Sequence, residues 1–352
     1  MTVGNDNHPL RLGIIGCGKV VEKYHLPALK RSTTWTLAAA CDPSPERRRW
    51  VQNAMPGLLI FERHGDMVNE VPLDAVIVAT PPATHFALGV QALEAGLHVL
   101  VEKPMALNVE EAHRMVEAAR SARKLLLVGF NRRFHLVYTR LQAQLRGANV
   151  SSMSSRFIFD TRAWGAHLGN DSAGGGVLDD VVCHQVDLLG WLLGRQAARV
   201  RAVTGAKEGE EAGAIEYELD FCGGLVARCT AGHGTTYHEE VRIDTEGKTL
   251  IAGPGRPRGG EAGGGILGLW GASESAIGKV ARKVSGRPSV AVESFIGQLG
   301  AFAWGVQAGA PHGQSADASS GLYSVRVVAA ARDSLLSGGQ WQQIALTLES
   351  DD

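Results

Sequence analysis

The chain has 352 residues and a net charge of −1, from 35 Lys and Arg against 36 Asp and Glu. That length suggests about two domains with ample core, and the charge balance argues against a nucleic-acid partner, which normally meets a basic surplus. Five cysteines without a C-x-x-C pair, a start lacking an apolar signal core, and no run of 18 apolar residues point to a cytoplasmic protein without disulfides, zinc knuckle or membrane span.

From Arg11 to about Gly129, short apolar runs alternate with helical stretches. Leu12–Ile15, Thr36–Cys41, Ala75–Ala79, His98–Val101 and Leu125–Val128 are the strand candidates, with helices over Thr84–Ala95 and Val109–Ala122. Asn108 is placed to cap the second of these helices, with Glu111 three residues on. This alternation predicts βαβ units and a doubly wound parallel sheet. After about Val150 the rhythm changes. Ser151–Phe159, Arg199–Thr204, Ala214–Phe221, Leu225–Ala231 and Glu239–Thr245 read as strands separated by short turns. Residues 214–221 alternate apolar and polar, the pattern of a sheet with one wet face. Helices are expected at Val177–Leu193, Ser294–Gln307 and Ser315–Leu336. The prediction is an α/β domain over residues 1–130, followed by an α+β domain over residues 131–352 with a largely antiparallel sheet. The final helix of that second domain is free to pack back on the first. Gly253–Gly265 reads as a loop, and Ile266–Ser285 as a weakly amphipathic basic helix serving as lid or oligomer contact.

Glycine is over-represented, at 44 residues, and its first cluster carries chemistry. Strand Leu12–Ile15 runs into Gly16-Cys-Gly18-Lys19-Val20-Val21 and then a helix. A G-x-G at a strand-to-helix turn lets backbone approach a pyrophosphate lying on the helix N-terminus. Val21 stands where the fingerprint has a third small residue, a position that governs helix packing more than phosphate approach. Asp42, 24 residues after Gly18, lies near the spacing expected for a carboxylate on the adenine ribose. It would repel a 2′-phosphate, so NAD is favoured; Arg47, Arg48 and Arg49 nearby leave NADP open. The alternative role for Asp42 is a helix cap.

Glu102-Lys103-Pro104 follows a strand, at the sheet edge where open α/β folds bind ligands. The alternative is a surface lysine. Asp180, His184 and Asp187 are spaced i, i+4, i+7, so one helix face should carry all three among apolar neighbours. Such a stripe is either a satisfied core histidine or a proton-transfer site in which a carboxylate orients the imidazole or raises its pKa. Arg132 either holds substrate or makes an interdomain ion pair. Arg162 and Trp164 precede the glycines at 174–176 in a loop expected to face the site, where Trp164 would stack on a sugar ring or simply pack. No His, Asp and Glu set has zinc spacing, so no metal is expected.

Gly13-Ile-Ile-Gly-Cys-Gly18, Ala79-Thr-Pro-Pro-Ala-Thr-His85, the run 95–104 ending in Glu102-Lys103-Pro104, and Gly174-Gly-Gly…Asp180-x-x-x-His184-x-x-Asp187 resemble the Gfo/Idh/MocA family along nearly the whole chain. The resemblance implies a Rossmann domain joined to an open-faced antiparallel sheet, and nicotinamide-dependent oxidation or reduction of a ring hydroxyl or ketone on a sugar, nucleotide sugar or cyclitol. It implies that Lys103, Asp180 and His184 are catalytic, with His184 as general acid/base and Asp180 on a substrate hydroxyl. In that family the loop holding Thr80, Pro81 and His85 lines the cofactor pocket; with Gly16, Gly18, Lys19, Val20, Asp42, Glu102 and Lys103 these are the expected cofactor residues, and Arg132, Arg162, Trp164 and Asp187 are the expected substrate residues. Val182 stands where the family usually has glycine, which adds bulk beside the site. A homodimer or homotetramer is expected. The alternatives are an enzyme that retains NAD and uses transient oxidation to cleave or eliminate, and a non-catalytic dinucleotide sensor, against which the intact Lys103, Asp180 and His184 argue.

Overall fold

The apolar runs of the first part assemble one sheet of six parallel strands, in the order β3-β2-β1-β4-β5-β6. These are β1 (Leu10–Ile15), β2 (Trp35–Cys41), β3 (Leu59–Phe61), β4 (Ala75–Val78), β5 (His98–Val101) and β6 (Leu126–Val128). The description rests on a computed structural model covering residues 8–160, 176–204, 213–254, 266–270 and 288–345. Strands β4, β5 and β6 are buried almost throughout, as expected of a sheet covered on both faces. The crossovers are α1 (Leu26–Leu29), entered through a π turn at Val21–His25, then α2 (Pro45–Ala54), α3 (His64–Glu70), α4 (His85–Glu94) and α5 (Val109–Ala122). Asn108 caps α5 as expected, its Oδ1 accepting from the Glu111 amide at 2.9 Å. The strand order reverses direction between β1 and β4, so a crevice opens at their carboxyl ends.

The second sheet has eight strands, in the order β13-β12-β11-β7-β10-β9-β8-β14. They are β7 (Val150–Asp160), β8 (Arg199–Thr204), β9 (Ile215–Asp220), β10 (Val226–Gly234), β11 (His238–Thr245), β12 (Lys248–Gly253), β13 (Ile266–Trp270) and β14 (Gln342–Gln343). All pairings are antiparallel except β7–β10 and β12–β13. Along β9, Ile215, Tyr217 and Leu219 turn inward while Glu216 and Glu218 face outward. The inner face is covered by α7 (Cys183–Leu193), which continues a π turn at Leu178–Val182, and by α9 (Ala318–Leu336). Cross-layer hydrogen bonds fix this packing. The Gln185 amide donates to Ser155 Oγ at 2.8 Å, Tyr217 Oη to Gln185 at 3.0 Å, and the Ala202 amide to Ser334 Oγ at 2.9 Å.

Helices α6 (Leu136–Leu145) and α8 (Val290–Ala308) complete the framework. Helix α8 packs on the first sheet: Trp35 Nε1 donates to Leu299 O at 2.8 Å, and Tyr24 stacks on Phe295 at 5.0 Å. Near α9 the chain also returns to that sheet, where the Val128 amide donates to Ala316 O at 2.9 Å.

Some elements differ from expectation. Ile266–Trp270 opens no helix; it pairs in register with β12 because a run of apolar and aromatic residues finds a free strand edge. Residues 271–287, like the loop 255–265, lie outside the described residues. Strands β3 and β12 and helices α3 and α6 were not read from the sequence. Among the described residues no helix is long and apolar enough to cross a membrane.

Candidate active site

The crevice is built first from backbone. Gly16 adopts φ +91°, and a Cβ there would stand 2.6 Å from Ala79 O, so only glycine lets β1 turn against the end of β4. At Gly18 a Cβ would meet nothing within 4 Å. The helix after it begins at once, the Glu22 amide donating to Gly18 O at 3.1 Å. A glycine loop that leaves this cradle open at a helix start fits a pyrophosphate. Lys19 is exposed and Val20 half-buried beside it. Asp42, at the end of β2, braces the loop. Its Oδ2 accepts the Cys17 amide at 2.7 Å and its Oδ1 the Ser44 amide at 2.8 Å, while Ser44 itself caps α2.

The loop after β4 brings Thr80 and Pro81 to the same edge. His85, the first residue of α4, is buried, with Nδ1 2.7 Å from Pro104 O and Nε2 2.8 Å from Thr80 O. It clamps this loop to the segment after β5, and burial lowers its pKa despite those carbonyls. Glu102 lies beneath. It accepts from His25 Nε2 at 2.7 Å, and Gly129 leaves it room, since a Cβ there would stand 2.8 Å from Glu102 Oε2. Burial would raise the Glu102 pKa, but the His25 bond and the charges of His25 and Lys103 bring it below its ordinary value.

Lys103 joins two elements distant in sequence. Its peptide bond to Pro104 is cis, and its Nζ donates to Asp180 Oδ1 and, at 3.1 Å, to Asp180 O. Burial would lower the ammonium pKa; Asp180 outweighs it, so the pKa is raised. For Asp180, burial would raise the pKa, but Lys103 and a hydrogen bond from His233 hold it well below the usual carboxylate range. His233 Nε2 lies 2.9 Å from Asp180 Oδ2. The site thus contains a fixed, charged ammonium–carboxylate pair at the carboxyl edge of the parallel sheet.

His184 lies 6% exposed between the edges of Phe130 and Phe159, ring centroids at 5.9 and 6.0 Å. Among the described residues its buried Nδ1 has no hydrogen-bond partner. The expectation that Asp180 or Asp187 orients it or raises its pKa is not met. Burial first, then the Arg132 and Lys103 charges, push the pKa well below its ordinary value, so the ring is neutral. Asp187 is turned away from the crevice: both its oxygens accept from Arg133, at 2.9 and 2.6 Å. Arg132 is engaged in an ion pair. Its Nε and Nη2 donate to Glu239 Oε2 at 3.1 and 2.7 Å, beneath the ring of Phe159. Tyr138 and Tyr237 also donate to Glu239, closing this cluster. Arg132 therefore makes an ion pair, the alternative of the sequence reading, and the neighbouring Arg133 makes a second one. Val182 is fully buried in the core. Arg162 and Trp164 lie outside the described residues.

The sequence reading missed His233 and Glu239. The predicted strand stopped at Ala231, whereas β10 runs to Gly234, and the inward alternation of Ala227, Cys229 and Ala231 was the signal for carrying it further.

A parallel six-stranded sheet with a glycine loop at its switch point places the protein in the class of dinucleotide-binding folds. Residues 10–130 match the oxidoreductase family with an NAD-binding Rossmann fold, and residues 146–250 match the GFO/IDH/MocA C-terminal domain. The chain belongs to the GFO/IDH/MocA family and carries its NAD-binding domain. YceM of Salmonella typhimurium is 31% identical over 68% of this chain and 74% of its own. A D-glucoside 3-dehydrogenase of Escherichia coli is 30% identical over 54% of this chain, and that match spans only 56% of the relative. The fold matches a crystal structure of scyllo-inositol dehydrogenase from Lactobacillus casei with bound NAD(H) and scyllo-inositol. The TM-score is 0.78, at 20% identity, over 96% of this chain and 100% of that one.

Proposed function

We propose that this protein is an NAD(H)-dependent dehydrogenase interconverting a secondary hydroxyl and a ketone on a cyclitol or sugar ring. The observation that carries it is the Lys103–Asp180 pair, held at the carboxyl edge of the same sheet that ends in the glycine loop. The names of the D-glucoside and scyllo-inositol dehydrogenases support the ring-hydroxyl class. Residues 1–130 hold the dinucleotide, and residues 131–352 supply the substrate side.

When bound, the nicotinamide supplies the hydride acceptor or donor. Gly16 and Gly18 would admit the pyrophosphate to the backbone, and Asp42 would hold the adenine ribose. Thr80 and Pro81, with His85 behind them, shape the nicotinamide end. Lys103 Nζ donates to the substrate oxygen and stabilises the negative charge that develops there. Asp180 keeps that ammonium charged and aimed. His184, neutral among Phe130 and Phe159, takes the hydroxyl proton on oxidation and returns it on reduction. With Nδ1 enclosed in the core, the proton is taken at Nε2.

A thermal-shift screen of cyclitols, sugars and nucleotide sugars with NAD+ identifies the substrate, and NADH formation confirms turnover. Lys103→Met and His184→Ala each lose roughly a hundredfold or more in kcat while still binding NADH. Near-full activity in Lys103→Met removes the proposal.

The protein is further proposed to self-associate through the outer face of the second sheet. There Arg201 and Arg228 pair with Glu218, and a pocket of about 570 Å³ is lined by these residues with Arg156, Glu216 and Glu240. Light scattering at micromolar concentration then gives a multiple of 37.3 kDa; the monomer mass alone refutes it. Five free cysteines suit a reducing cytoplasm.

A further inference from the structure

We propose that His233 is a positioning residue of the reaction centre, fixing the carboxylate of Asp180 so that Lys103 is aimed at the substrate oxygen. The inference rests on the dehydrogenase reading above and extends its machinery to a third element of the fold.

Asp180 sits in the π turn before α7, Lys103 follows β5, and His233 lies near the end of β10. The three side chains are 12%, 18% and 17% exposed, so the group is largely withdrawn from water without being closed to it. Each oxygen of Asp180 has its own partner. Oδ1 accepts from Lys103 Nζ, and Oδ2 lies 2.9 Å from His233 Nε2. An ionised carboxylate only accepts, so Nε2 carries the proton and the imidazole tautomer is set.

The terminal torsion of an aspartate is broad and nearly two-fold, so one partner leaves the carboxylate plane free to swing. Partners on both oxygens remove that freedom. Lys103 needs this support because a lysine ammonium has three donors on a flexible stem, and only the carboxylate plane and Asp180 O define its direction. The position of His233 is in turn set by the sheet. It stands in register with Phe159 of β7, whose ring meets the edge of His184. The π turn, β7 and β10 therefore align the ammonium and the neutral imidazole relative to one another. The carboxylate of Asp180 has His233 as its histidine partner, as that of Glu102 has His25, while among the described residues the buried Nδ1 of His184 has no hydrogen-bond partner.

The test uses the full-length protein, NAD+, and two probes, myo-inositol and methyl β-D-glucoside. Glutamine places an amide donor near the position of the imidazole Nε2; leucine places none. His233→Leu is expected to lose about tenfold to a hundredfold in kcat, with KM changed by less than about threefold. Its NADH affinity stays unchanged, which also shows that it folds. His233→Gln recovers kcat to within about fivefold of the unaltered enzyme. Unchanged kcat in His233→Leu overturns the inference, and so does equal impairment of both variants, since the donor would not then be what matters. Lys103→Met is measured beside them. If it is impaired and His233→Leu is not, only this inference fails. If Lys103→Met is fully active, or the unaltered enzyme forms NADH with neither probe nor any cyclitol, sugar or nucleotide sugar of the screen above, the dehydrogenase reading fails and this inference with it.

Discussion

Asp42 holds the glycine loop with both oxygens, and this bears on cofactor choice. The carboxylate cannot swing aside without releasing the Cys17 and Ser44 amides. Two of the three arginines that could offset it, Arg47 and Arg48, are already occupied. Arg47 Nε donates to Cys17 O at 2.6 Å and Nη2 to Glu22 at 3.0 Å, while Arg48 Nη1 donates to Asp42 O and Pro43 O, each at 2.9 Å. A 2′-phosphate would meet a fixed negative charge, and like charges brought together at a binding interface cost up to several kcal/mol. NADH is therefore expected to bind at least about tenfold more tightly than NADPH, a difference of about 1.4 kcal/mol. Fluorescence titration of both decides it. A preference for NADPH would mean that Arg47 and Arg48 leave their carbonyls for the phosphate.

The π turn before α7 places Asp179 and Asp180, adjacent in sequence, in opposite electrostatic situations. Burial pushes Asp179 up to about 6, and its partner Arg332, itself 43% exposed, only partly offsets this. An acid whose pKa is raised on folding stabilises the fold below its unfolded value, and that contribution is lost as pH rises through the folded value. Between about pH 4 and 6 this residue alone removes of the order of 3 kcal/mol. Asp179→Asn should therefore gain thermal stability over the unaltered protein at pH 7.5 but little at pH 4. Equal differences in Tm at the two pH values would contradict this. The same turn explains where the sequence reading of the site stopped. The glycine loop, Asp42 and Glu102-Lys103-Pro104 were legible because each is a local pattern at a strand end. The i, i+4, i+7 stripe was read as one face. In the fold Asp180 meets Lys103 and His233, while Asp187 meets Arg133, and partners 53 to 77 residues away in sequence leave no local trace. Strand β3 escaped notice for a simpler reason: three residues are too few to show a period.

Across the whole molecule, the two sheets are joined by a charged seam. Arg133 leaves the last strand of the parallel sheet, clasps both oxygens of Asp187 on α7, and donates to Ser315 O at 2.9 Å. The side chains are 9% and 1% exposed. Removing one member of such a pair leaves a buried charge uncompensated and costs about 3–5 kcal/mol. Asp187→Asn is thus expected to lower the denaturation midpoint strongly while leaving NADH affinity intact at low temperature. A midpoint close to that of the unaltered protein would show that Arg133 finds another acceptor.

The packing of α8 on the first sheet also governs the order in which the molecule can be made. Trp35 waits for Leu299 and Phe302, more than 260 residues downstream, before its ring is enclosed. At roughly 5–20 residues per second of synthesis, that wait is on the order of 13–53 s. Throughout it, the Trp35 end of one face of the dinucleotide-binding sheet lacks its α8 cover on the ribosome, where a holding chaperone would find its apolar target. A nascent chain halted before residue 290 should accordingly remain open to protease at the Trp35 face, and release of the finished chain should close it.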